Sequence, residues 1–186
     1  MKKTLLAPLS LVLLLPALAA ASEVAGVRVP ETVTAGGKTL KRNGAGLRKK
    51  LFFKVYVAGL YVESPSKDAA SILSATEVKS MHLYILRSLH GSQITDAISE
   101  GFERNSKEQI PKLKARLDKL GTMIPDVAAG DEIALTWIPD KGTEVTVRGT
   151  DRGVIEGRDF ADALFAVWLG PNPVQDDLKK ALLGAP

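Results

Sequence analysis

The chain contains no cysteine. That absence excludes disulfides and an N-terminus lipidated on cysteine, so an exported fold of this sequence is held by its hydrophobic core. Histidine is scarce as well. His82 and His90 stand alone, and no acidic cluster has metal-loop spacing, which argues against a metal centre. Gly44-Ala45-Gly46 lacks the spacing of a dinucleotide or phosphate loop, so no cofactor is expected. Ser92 and Ser99 have no histidine and acid arranged around them, and helix capping accounts for Ser92. Aromatic residues are 5% of the chain and the basic residues are dispersed rather than clustered with them, which gives a nucleic-acid partner little support. Beyond the N-terminus there is no apolar stretch of membrane-spanning length, no repeat and no low-complexity linker.

The N-terminus is informative. Lys2 and Lys3 precede an apolar stretch from Leu5 to Leu15, Pro16 breaks it, and Ala17, Ala19 and Ala21 follow. These are the three parts of a secretory signal peptide, and the apolar part is short for a bilayer span. Cleavage after Ala19 and cleavage after Ala21 both fit. The expected organisation is a signal peptide over 1–21 and one domain over 22–186, exported and periplasmic, with no integral span once the signal is removed. Loss of Lys2 and Lys3 takes the formal charge from +4 to +2. The remaining 165 residues suit one domain with a good core.

The run from Gly44 to Glu63, GAGLRKKLFFKVYVAGLYVE, organises the rest. It reads as one central strand, apolar on both parities and covered on both faces. Before it, Val24 to Val33 has strand composition interrupted by Pro30, Gly36-Gly37 turns, and Lys38 to Lys41 is a short extended piece. After it, Ser66 starts a short helix, and Met81 to Leu89 reads as a strand whose apolar face is interrupted by Arg87, read as a snorkelling side chain.

From Gly91 the period becomes helical. Ser92 caps a helix with Ile94, Ala97, Ile98, Gly101 and Phe102 on one stripe, and a second helix carries Ile110, Leu113, Leu117 and Leu120 inward with Lys112, Arg116 and Lys119 outward as a solvated face. Gly121 closes it. A meander follows, with turns at Pro139 to Gly142 and at Thr150 to Gly153. Asp159 caps a helix bearing Phe160, Leu164, Val167 and Trp168, and Pro173 marks a last helix striped by Val174, Leu178 and Leu182. The order predicts an α+β fold, a large antiparallel sheet with helices mainly on one face, and a ligand cleft in the seam between sheet and helices.

The segments VPETVTAGGKTLKRNGAGLRKK, FKVYVAGLYVE, LHGSQITDAISEGF and WLGPNPVQDDLKKALLG, in that order and spacing, resemble the chalcone isomerase fold family, in particular its bacterial exported chalcone-isomerase-like branch. The resemblance implies an open-faced β-sandwich with helices packed on a large antiparallel sheet. In the enzymes of that family a cation and hydrogen-bond donors stabilise charge on an enone carbonyl. The resemblance aligns that cation with Arg48 and the family's central-strand threonine with Tyr56. It also aligns Ile94 with the catalytic tyrosine, Gly101 with an asparagine and Val167 with a polar hydroxyl residue, none of which can donate as the enzymes do.

Non-catalytic fatty-acid-binding relatives hold a carboxylate with an arginine and a tyrosine, and Arg48 with Tyr56 fits that pair in residue type. The resemblance implies a ligand carboxylate at Arg48 and Tyr56 and an acyl chain along Phe52, Ala58, Leu60, Ile94, Ile98, Phe102 and Trp168. A straight strand sets those two residues roughly 26 Å apart, at about 3.3 Å per residue. No glycine or proline between Lys49 and Tyr56 signals a bend. Three readings follow: a binder of a fatty acid or another amphipathic carboxylate, an isomerase or lyase of a chalcone-like enone with rearranged groups, and a structural or partner-binding domain with a filled cleft.

Overall fold

The computed structural model describes residues 22–184. The expected signal peptide lies outside the described residues. Nine strands and five α-helices follow in the order β1 (Ser22–Val24), β2 (Val27–Val29), β3 (Thr32–Ala35), β4 (Lys38–Lys50), β5 (Phe53–Val62), α1 (Ala69–Ser74), β6 (Lys79–Ile85), α2 (Gly91–Asn105), α3 (Ile110–Met123), β7 (Glu132–Ile138), β8 (Gly142–Val147), β9 (Thr150–Ile155), α4 (Arg158–Leu169) and α5 (Asp176–Leu182). Strands β3 to β9 form one seven-stranded antiparallel sheet in sequence order, and β1 and β2 form a separate hairpin. The α+β class and the large antiparallel sheet agree with the sequence pattern.

Alternation within β5 divides the interior in two. Ala58, Leu60 and Val62 join the main core with Met81, Leu83 and Ile85 of β6 and the apolar stripes of α2, α3 and α4. Val57 and Tyr61 face the other way, into a smaller cluster with Leu40 and, from the N-terminal hairpin, Val24, Val27 and Val29. Both faces of β5 are therefore covered, one by helices and one by the β1–β2 hairpin. Among the described residues no helix is long and apolar enough to cross a membrane.

The expected single strand from Gly44 to Glu63 is instead a hairpin. Lys50 pairs with Phe53, and Leu51 and Phe52 form a two-residue turn. Leu51 takes φ 55°, the left-handed conformation that glycine usually supplies, so the turn carries none of the residues by which turns are recognised. The short extended piece at Lys38 and the first half of the run are one continuous strand, β4.

Other boundaries move by a few residues. Strand β6 ends at Ile85, which leaves Arg87 beyond it. Asp68 rather than Ser66 caps α1, accepting from the Ala70 and Ser71 N–H groups. His90 rather than Ser92 precedes α2, with Gln93 Oε1 accepting from its N–H at 2.9 Å. Helix α3 continues past Gly121 to Met123. Gly157 precedes α4, with Asp159 in its first turn, and Pro173 precedes α5 by three residues. The last turn of the meander falls at Arg148-Gly149, and Thr150 already belongs to β9. Arg116, expected on a solvated face, donates two hydrogen bonds to the Asp159 carboxylate at 2.7 and 2.9 Å and ties α3 to α4.

Candidate functional site

The hairpin removes the expected separation of Arg48 and Tyr56. They are direct cross-strand partners in the β4–β5 ladder. Just beyond them the ladder slips, with Lys49 opposite Lys54, so Val55 has no counterpart. Tyr56 stands on the helix-facing side, and its hydroxyl oxygen accepts a hydrogen bond from Trp168 Nε1 of α4 at 3.0 Å. An indole N–H can only donate, which fixes the phenol oxygen as acceptor there. The Tyr56 O–H has no acceptor among the described residues and is available to a ligand. Burial pushes the Tyr56 pKa upward, opposed more weakly by the Trp168 hydrogen bond and by Arg48, so at neutral pH it is a neutral donor.

Arg48 is held from α5. Its Nη1 donates to Gln175 Oε1 at 3.2 Å and to the Lys49 carbonyl. Gln175 Oε1 also accepts from the Lys49 N–H at 2.9 Å, and its Nε2 donates to the Leu47 carbonyl at 3.2 Å, so one side chain grips three consecutive residues of β4. Helix α5 comes close enough because β4 has glycine where they meet. A Cβ on Gly44 would stand 2.1 Å from the Ala181 carbonyl oxygen, and one on Gly46 would stand 2.7 Å from Ala181 Cβ. The Gly44-Ala45-Gly46 motif is therefore a helix-docking groove. No carboxylate pairs with Arg48 among the described residues.

Between the hairpin, the end of β6 and α2 and α4 lies a cavity of about 290 Å³. This is near the lower end of small-molecule sites, about 300 to 1,000 Å³, and suits one slender ligand. Arg48 and Tyr56 form part of its wall together with Leu83, Ile94, Ile98, Val167 and Trp168. Its outer rim carries Lys50, Arg87 and Arg104, with Glu100 the acidic residue of the lining. Glu100 approaches Arg104 at 3.9 Å across one helical turn. The rim is cationic on balance.

Of the residues expected to contact a ligand, Arg48, Tyr56, Ile94, Ile98 and Trp168 share this cavity. Ala58, Leu60 and Phe102 do not line it. They are fully buried in the main core, where helix and sheet close on each other. Phe52 is outside it too, at the tip of the hairpin and turned to solvent. The chain matches the chalcone isomerase-like family over residues 21–184. It is a member of that family. Among solved structures it is similar to the fatty-acid binding protein AtFAP1 of Arabidopsis thaliana, with a TM-score of 0.65, 15% identity, and coverage of 85% of this chain and 92% of that one. No curated protein sequence matches it.

Within this chalcone isomerase-like fold, the positions that the sequence resemblance sets against enzyme donors are packed with carbon. Ile94 lines the cavity, and Val167 presses on Gly101 so closely that a Cβ there would meet both Val167 methyls at 2.7 Å. A side chain longer than hydrogen does not fit at residue 101 beside Val167. Sequence reasoning missed Gln175, which shows no periodic or motif signal and acts only because α5 lands on the two glycines. It also missed the site role of Phe53. That ring lies under the Arg87 guanidinium at 4.5 Å, and both line the cavity. Among the described residues no cluster of histidine, cysteine or acidic residues could hold a metal ion.

Proposed function

We propose that this protein binds a fatty acid or a similar amphipathic carboxylate without transforming it. The observation that carries the reading is the pairing of Arg48 and Tyr56 on one cavity wall, a cation without an acidic partner beside a hydroxyl with a proton to donate. A carboxylate accepts from both, and a planar guanidinium suits it geometrically. The tail then runs inward along Leu83, Ile94, Ile98 and Val167. A buried carboxylate without such partners is strongly disfavoured, so these two groups set both affinity and orientation. The fatty-acid binding of AtFAP1 supports the ligand class.

The test is a titration of purified protein with saturated fatty acids of increasing length, paired with native mass spectrometry after mild extraction. Saturable one-to-one binding that weakens in Arg48→Ala is expected. An empty protein that takes up no acyl ligand sinks the proposal. Turnover of a chalcone above the buffer rate would favour an isomerase instead, but Ile94, Gly101 and Val167 add no donor to Arg48 and Tyr56 for a developing enolate.

Export is part of the same proposal. Lys2 and Lys3, the apolar stretch from Leu5 to Leu15 and the alanines up to Ala21 support it. N-terminal sequencing of the protein recovered from an expressing cell is expected to begin at Ala20 or Ser22. A chain that begins at Met1 and stays with the cytoplasmic fraction overturns export.

A further inference from the structure

The tip of the β4–β5 hairpin is apolar and exposed. Leu51, Phe52 and Phe53 are 83%, 98% and 56% exposed and are the large hydrophobic side chains that the described residues leave in water. Contiguous exposed apolar groups at one projecting point are a feature that soluble surfaces normally avoid. Their setting is equally uneven. Between Glu31 and Glu63 there is no acidic residue, whereas Lys49, Lys50 and Lys54 flank the turn directly and make no ion pair among the described residues. The same tip is a wall of the cavity, since Lys50, Leu51, Phe53 and Val55 line it.

We infer that the hairpin tip docks the protein on an anionic phospholipid bilayer, with Leu51 and Phe52 entering the interfacial region and the lysines resting on the headgroups. Apolar side chains projecting from a basic collar match the two forces that hold a peripheral protein at such a surface, apolar burial and attraction to negative lipid. The charge selects this occupant over a neutral protein surface. Docking turns the cavity mouth toward the lipid, so an amphipathic ligand can pass between membrane and cavity without crossing bulk water. The docking itself does not depend on what the cavity holds.

The experiment uses full-chain protein with phosphatidylcholine vesicles and with mixed phosphatidylcholine and phosphatidylglycerol vesicles, no fatty acid added. Wild type is expected to co-sediment with the mixed vesicles and to come off with salt. Each lysine near an anionic surface is worth roughly fivefold in partitioning, so Lys49→Glu with Lys54→Glu should lower binding by more than about tenfold. Phe52→Ser should lower it at least several-fold while the unfolding temperature is unchanged. In Phe52→Trp, the emission of the new indole should shift to the blue on mixed vesicles and be quenched by brominated lipid, a signal that the N-terminal segment cannot imitate.

Equal binding to both vesicle types, binding unaffected by the tip variants, or no binding at all overturns the inference. So does a wild-type dimer that Phe52→Ser dissociates, which would give the tip to a second copy of the chain. Fatty-acid titration of Phe52→Ser without vesicles is expected to match wild type, so failure of docking and failure of the ligand reading are read separately.

Discussion

Trp168 and Tyr56, separated by 112 positions in the chain, meet at 3.0 Å through a hydrogen bond whose direction is fixed by the indole. The sheet contributes the hydroxyl, a helix contributes the donor that binds it, and the phenolic proton has no acceptor among the described residues, on a ring that lines a cavity. Replacing Trp168 by phenylalanine keeps most of the apolar contact and removes that N–H. Ligand affinity should fall several-fold, and stability should fall by about 1 kcal/mol, the typical net worth of one internal hydrogen bond. Isothermal titration and urea unfolding of the same sample measure the two effects.

Arg48→Ala is expected to weaken carboxylate binding by roughly ten- to a hundredfold, since a hydrogen bond to a charged group is worth about 1.5 to 3 kcal/mol. Arg48→Lys should recover only part of it, because an ammonium lacks the planar fork. Gln175→Ala should cost less than Arg48→Ala and act through a loosened arginine. A fatty-alcohol ligand of the same chain length discriminates: its affinity should be almost indifferent to all three changes.

Gly44→Ala should be more damaging than Gly46→Ala. At residue 44 the new methyl meets backbone carbonyls at 2.1 and 2.6 Å, while at residue 46 it meets side-chain atoms of Ala181 and Leu178 at 2.7 and 2.9 Å. Overpacking of this kind destabilises by about 1 to 3 kcal/mol, and the backbone clash belongs at the upper end. Hydrogen exchange should show faster opening of α5 in Gly44→Ala, with a parallel loss of ligand affinity because Gln175 moves with the helix.

Lys79 supplies a pH test. It is 2% exposed, and its Nζ donates to the Ile72 and Leu73 carbonyls at 3.0 and 2.8 Å, closing the C-terminus of α1 from inside the protein. Burial lowers its pKa from 10.5 to about 8. The unfolded chain therefore holds this proton more tightly than the folded one, and between about pH 8 and pH 10.5 the group makes stability rise with pH. Urea midpoints across that window should climb more in wild type than in Lys79→Met, and a Lys79→Met slope identical to wild type would remove the assignment.

The fold was largely legible because long elements carry strong periodicity. The stripes of α2 and α3, the alternation in β7 and β8 and the two apolar parities of β5 each have a single physical explanation. The candidate site was open to proposal from residue type and not from geometry. Arg48 and Tyr56 were separable from the background, yet their proximity depends on a turn at Leu51 and Phe52 that contains no turn residue. Depth was equally hidden: Ile98 and Phe102 lie on one helical stripe, but only the first reaches the cavity, because α4 seals the helix–sheet seam beyond it. Pairwise meetings such as Gln175 with Arg48 depend on where a helix lands, and local sequence is silent on that.

Leu51 has one more consequence. A leucine in the left-handed region is strained by roughly 1 to 2 kcal/mol relative to glycine, and this one is in water, where no packing offsets the penalty. A stability-guided redesign would install glycine there first and obtain a more heat-resistant molecule with a blunter nose. Thermal robustness and surface stickiness thus pull this residue in opposite directions, and a selection run on melting temperature alone would discard the trait that only a lipid-containing assay can see.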